Sequence, residues 1–107
     1  MPEGQGEAAS DAPGSEGDAN ARAAAALWGM RCASCHGAGG RGDGAGKPPG
    51  AALPDMTTAA YQSSRSDTQL HAVIKNGRGL MPAFSDQLSD LGITELVKHV
   101  RTLARGQ

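Results

Sequence analysis

The residues of this chain best placed to do chemistry stand in one run, Cys32-Ala33-Ser34-Cys35-His36. Two thiols three positions apart on one helical turn can each bond a vinyl group of the same porphyrin. An imidazole on the next residue then lies over the ring face, within reach of an iron. Other uses of paired cysteines fit less well. A zinc site needs four ligands, and the chain adds no third cysteine and only two further histidines, His71 and His99, far apart and solitary. A thioredoxin-type dithiol follows a strand, whereas the stretch before Cys32 is Ala-rich and helical. A disulfide across two residues would be strained and would close almost no loop. The run is therefore read as a covalent haem attachment site, with His36 as proximal iron ligand.

The sixth iron position decides between electron transfer and ligand chemistry. Besides Met1, the chain offers Met30, Met56 and Met81, with His71 and His99. Met30 directly precedes the attachment run and cannot easily reach the opposite ring face. Met56 sits beside a helix start and suits packing under the haem edge. The two remaining histidines fall within helices, where a surface or half-buried role is the ordinary one. Met81 lies in a loop, Asn76-Gly77-Arg78-Gly79-Leu80-Met81-Pro82-Ala83-Phe84. Its glycines let the loop fold over a ring, and Pro82 stiffens the chain beside the thioether. Met81 is the favoured sixth ligand.

The elements that must position these groups are helical. Residues 1–19 are rich in Gly, Ala, Ser, Glu and Pro without a hydrophobic period, which predicts a disordered acidic tail or linker. A first helix is expected from about Asn20 to Cys32, capped by Asp18 or Asn20, with Ala24, Leu27 and Trp28 on its buried stripe. Residues 37–56 hold seven glycines and three prolines and predict an irregular loop whose backbone approaches the porphyrin. No phosphate-binding pattern is present, since Lys47 is followed by Pro48. A short helix is expected near 58–63, with Thr57 or Thr58 as cap. The next starts at a capping box, Ser66 with Gln69, carries Leu70, Val73 and Ile74, and ends at Gly77 or Gly79. The last starts near Ser89 and aligns Ile93, Leu96, Val97, Val100 and Leu103. No segment alternates with period two, so the fold class is all-α.

Length and charge bound the rest. At 107 residues, with Trp28, Tyr61 and Phe84 as its only aromatics, the chain suits one haem-stapled domain over 20–107. Residues 1–20 carry five acids and no base, whereas the remainder carries ten Lys/Arg against six acids. A mildly basic body suits docking on an acidic protein surface and is too weak and aromatic-poor for nucleic acid. Arg31, Arg41, Lys47, Lys75 and Arg78 are expected around the haem edge. No apolar stretch is long enough to span a bilayer, and the first residues lack a signal-peptide plan.

Three motifs in order, CASCHG at 32–37, Gly40-Arg41-Gly42-Asp43-Gly44, and GLMPAF at 79–84, resemble those of the class I cytochromes c, particularly the short bacterial monohaem proteins. The resemblance covers about residues 20–104. It implies the cytochrome c fold, with three core helices and a short one around a single haem c. It also implies thioethers at Cys32 and Cys35 and His36/Met81 iron. A proline carbonyl should accept the His36 imidazole proton; Pro48 has the matching spacing, with Pro49 and Pro54 as alternatives. Where the family crosses its first and last helices through a Gly and an aromatic on each side, Ala24 with Trp28 faces Leu96 with His99, which predicts an intact but weaker contact. Tyr61 and Arg65 are candidates for holding a haem propionate. Haem attachment outside the cytoplasm implies a periplasmic protein, its export signal removed or its domain cut from a longer anchored chain. With both axial positions filled, the expected role is a monomeric electron carrier in a respiratory-type chain, not an enzyme. The alternatives are the electron-accepting domain of a larger oxidase or dehydrogenase, and a haem-based gas sensor if Met81 leaves the iron.

Overall fold

The computed structural model describes residues 15–104. Helix α1, Ser15–Leu27, runs into a π-helical stretch, Trp28–Cys32, and then a short turn, α2, Ala33–His36. After the Gly-rich loop come α3, Ala59–Ser64, α4, Asp67–Asn76, and α5, Asp90–Thr102. Among the described residues there is no strand, only an isolated bridge between Arg78 and Met81.

α1 begins at Ser15, so Asp18 and Asn20 lie inside the helix and do not cap it. Ala-rich sequence propagates helix in both directions once it is nucleated, and Asp18 favours the positive end of the helix dipole. Residues 1–14, the rest of the expected tail, lie outside the described residues. The downstream starts follow their caps. Thr58 accepts from the Tyr61 N–H at 3.1 Å and opens α3. Ser66 and Gln69 form the reciprocal capping box of α4, and Ser89 accepts from the Gly92 N–H to open α5.

The core sits where α1 and α4 pack on α5. Ile93 and Leu96 are fully enclosed, beside Leu70, Ile74 and Phe84. Burying one such side chain contributes about 1.5–3 kcal/mol. Ala24 and Trp28 are buried as expected, and Leu27 only half-buried. At the crossing of α1 and α5, the His99 ring packs on Trp28 with centroids 5.4 Å apart. The second tie is Arg101, which the sequence did not single out. Its guanidinium donates to the carbonyls of Gln62 and Arg65 at 2.8 and 2.7 Å, to Gln62 Oε1 at 3.0 Å, and to Asp67 at 2.9 Å. Gln62 in turn donates to the carbonyls of Met56 and Val100. This network satisfies carbonyls that the ends of α3 and α5 leave open.

Candidate haem site

The π-helical stretch delivers the first cysteine. The Ala33 N–H bonds back five residues to the Trp28 carbonyl, so one extra residue is fitted into the turn before α2. Cys32 and Cys35 are both free and half-buried. Burial pushes the Cys32 thiol up to about 11, while Cys35 Sγ faces the Gly46 carbonyl at 3.7 Å. His36 closes the turn, and burial holds its imidazole below the ordinary value of 6.5. The Trp28 ring lies 5.9 Å from the His36 ring, and its Nε1 donates to the Gly37 carbonyl at 3.1 Å.

A helix end leaves four carbonyls without partners, and here the following loop supplies all four. Gly37 N–H donates to Ala33 O at 2.8 Å, Gly46 to Ser34 O at 2.7 Å, Gly44 to Cys35 O at 3.1 Å, and Gly42 to His36 O at 2.8 Å. A Cβ on Gly44 would collide with the carbonyls of Ser34 and Ala33, and Gly42 sits at φ 81°. These glycines approach the backbone of the attachment turn, because the alternating N–H groups of 42, 44 and 46 reach carbonyls on a helix end. Lys47 is drawn into the same loop, its Nζ 3.2 Å from the Gly42 carbonyl.

The bond expected from His36 to Pro48 is not formed. The Pro48 carbonyl accepts from the Ala51 N–H at 3.0 Å, and His36 Nδ1 is buried without a hydrogen-bond partner. Pro49 and Pro54 do not take its place.

Met81 is held by a tight turn in which Arg78 and Met81 exchange both backbone bonds, at 3.0 and 2.9 Å. Gly79 at φ 57° provides the first central residue. The loop then caps α4: Phe84 N–H donates to Ile74 O at 3.1 Å and Ser85 N–H to Lys75 O at 3.2 Å. Gly77 allows this, since a Cβ there would stand 2.7 Å from the Met81 carbonyl. Met81 is half-buried against the core. Met56 is a buried core residue and Met30 is 69% exposed, so of the methionines within the described residues Met81 alone is a half-buried loop residue.

Tyr61 is buried, and the Arg65 guanidinium stacks 4.6 Å from its ring centre. Arg65 and Arg78 line one cleft of about 340 Å³, floored by Ala72 and Val73. Of the five basic residues expected at the haem edge, Lys75 pairs with Asp90 at 3.4 Å. Arg31, Arg41 and Arg78 are exposed and make no ion pair among the described residues.

The donor set fits a covalent haem on its own terms: two free thiols and a half-buried imidazole on one fixed turn, with a thioether on a separate loop. The helical shell and this site define a small class I cytochrome c domain. The chain belongs to the family described as cytochrome c oxidase, cbb3-type, subunit III, whose model matches residues 19–100. It is 32% identical over 82 residues to the Cbb3-type cytochrome c oxidase subunit CcoP of Azospirillum sp. (strain B510), covering 76% of this chain. The chain spans 28% of that relative's length. Among solved structures it is similar to the KustC0563 c-type cytochrome, at a TM-score of 0.68 and 26% identity over 77% of this chain and 98% of that one. Membership implies covalently bound haem c with iron and a role in electron transfer.

Proposed function

We propose that this domain passes single electrons through one haem c, anchored by thioethers at Cys32 and Cys35 and ligated by His36 and Met81. The observation that carries this is the capped attachment turn, whose four loop bonds fix both thiols and the imidazole on one rigid frame. When bound, the haem supplies a one-electron couple. The protein's part is to hold it: the Gly-rich loop locks the proximal turn, the Arg78–Met81 turn presents the thioether, and Tyr61 and Arg65 face a propionate. With His36 and Met81 as the two side chains that would hold the iron, no position would be left for dioxygen or a substrate, and the domain would act as a carrier, not an enzyme by itself. The exposed Arg31, Arg41 and Arg78 suit an acidic docking surface on a redox partner, met by a monomeric domain.

The similarity to CcoP favours a specific setting, an electron-accepting domain tethered to a membrane-anchored oxidase subunit on the extracytoplasmic side. In that setting the stretch before α1 would act as linker. A visible spectrum with a redox titration tests the core reading. Low-spin haem, the weak long-wavelength band of Met–sulfur ligation, and its loss in Met81→Ala are expected. A high-spin ferric centre, or rapid CO binding by the reduced wild type, would instead support gas binding.

A further inference from the structure

Three rings stand in a row behind the attachment turn. The first is His36, whose Nδ1 lacks the hydrogen bond that would ordinarily orient a ligating imidazole. The second is Trp28, 5.9 Å from it at an interplanar angle of 36°, and anchored through Nε1 to the Gly37 carbonyl. The third is His99, 5.4 Å from Trp28 at 42°. His99 lines an open cavity of about 320 Å³ between α1 and α5, so solvent protons reach it while its inner face touches the indole.

We propose that His99, acting through Trp28, is a positioning residue for His36 whose proton uptake raises the haem potential. This rests on the proposed ligation by His36. Packing of Trp28 against His36 is the restraint on the imidazole, and His99 backs Trp28 from the far side. A proton on His99 adds a positive charge that faces the indole, where a cation is tolerated. The same charge disfavours the ferric state relative to the ferrous, so reduction becomes easier as pH falls. Among the described residues, the groups around His99 leave its proton free to exert this effect. On α5, Glu95 and Lys98 pair with each other at 3.1 Å, and the Thr102 hydroxyl donates to the His99 carbonyl at 2.6 Å. From α1 the cavity is lined by Gly17, Asn20, Ala21 and Ala24, none of which titrates. The remaining histidine, His71, lies by Asp90 at 3.7 Å.

The experiment is the midpoint potential of the haem-loaded protein from about pH 4.5 to pH 8, across the ordinary titration range of histidine. Wild type should show a more positive potential at low pH. A threefold difference in His99 proton affinity between redox states corresponds to about 28 mV for a one-electron couple. His99→Phe should flatten that dependence while keeping the low-spin spectrum, and His71→Gln should leave it intact. If His99→Phe does not fold, His99→Gln or the His99 titration followed by NMR in both redox states gives the same answer. A pH-independent wild-type potential overturns the proposal, as does an unchanged slope in the His99 variants or an identical His99 titration in both states. A protein without a low-spin haem spectrum would refute the ligation reading instead, before any slope is measured.

Discussion

The two loops that hold the proposed iron ligands, His36 and Met81, solve the same problem with different stringency. Each follows a helix and fills its open carbonyls. The proximal loop, 37–46, bonds all four carbonyls of residues 33–36, with backbone so close that Gly44 admits no side chain. The distal loop, 77–85, covers three carbonyls of α4, those of Val73, Ile74 and Lys75, and otherwise relies on a two-residue turn whose tip, Leu80, is 80% exposed. On the proposed ligation, iron would have a fixed side and a yielding side. Local opening draws on regions with few buried contacts and exposed backbone bonds, so Met81 should exchange before His36 does.

Substitutions at the glycines test this contrast most sharply. Gly44→Val collides with the attachment turn. It should lower stability by about 2–4 kcal/mol, or roughly 10–25 °C in melting midpoint, as read by calorimetry of the haem-loaded protein. A fall no larger than that of a distal glycine variant would erase the contrast. Gly77→Ala strains φ 76° and pushes on the Met81 carbonyl. It should cost about 1–3 kcal/mol and weaken the Met–sulfur band while leaving covalent attachment intact. Gly79→Ala has open space and only the φ 57° penalty, so about 1–2 kcal/mol is expected. Hydrogen exchange offers a direct comparison: the amides of Gly42, Gly44 and Gly46 should outlast those of Arg78 and Met81.

The smallest effect is on pH dependence. Burial holds the folded His99 below 6.5, so the unfolded chain binds its proton more readily. Stability should therefore decline as pH falls from above 6.5 towards the lower folded value. His99→Tyr removes that decline and should raise the melting midpoint by filling the crossing better. An unchanged or lower midpoint would show the imidazole to be as good a partner for Trp28. At lower pH a second loss follows at Asp55, whose carboxylate accepts from the Thr57 hydroxyl and N–H and is thereby held below 3.8. That contribution is present above 3.8 and disappears as the carboxylate is protonated.

How far the sequence carried depended on the range of the interaction. Local rules located Ser66 with Gln69, Thr58 and Ser89, because a cap and its target lie within one turn. The attachment turn and the Met81 loop were legible for a similar reason, since each is a contiguous pattern. The N-terminal start of α1 was placed late because composition marks helix ends poorly in Ala-rich sequence. Arg101 escaped notice because its targets lie 34 to 39 residues away. Pro48 rested on the family resemblance, with Pro49 and Pro54 as alternatives, and its carbonyl is taken locally by the Ala51 N–H. The glycines were legible as close-approach residues, but that residues 42, 44 and 46 reach the carbonyls of the attachment turn is set by the return path of the chain.

The wide turn at Trp28–Cys32 carries a consequence for the azimuth of the first thiol. Each residue of an ordinary helix advances the side chain by about 100°, and the inserted residue spreads that advance over five positions. Removing Gly29 would restore the narrow pitch and leave Cys32 at nearly its present azimuth, because the wide turn already absorbs the extra residue. The bulge is thus slack of one residue stored ahead of the first thiol, and a one-residue deletion there should leave a helix that still folds and still offers Cys32 on the same side.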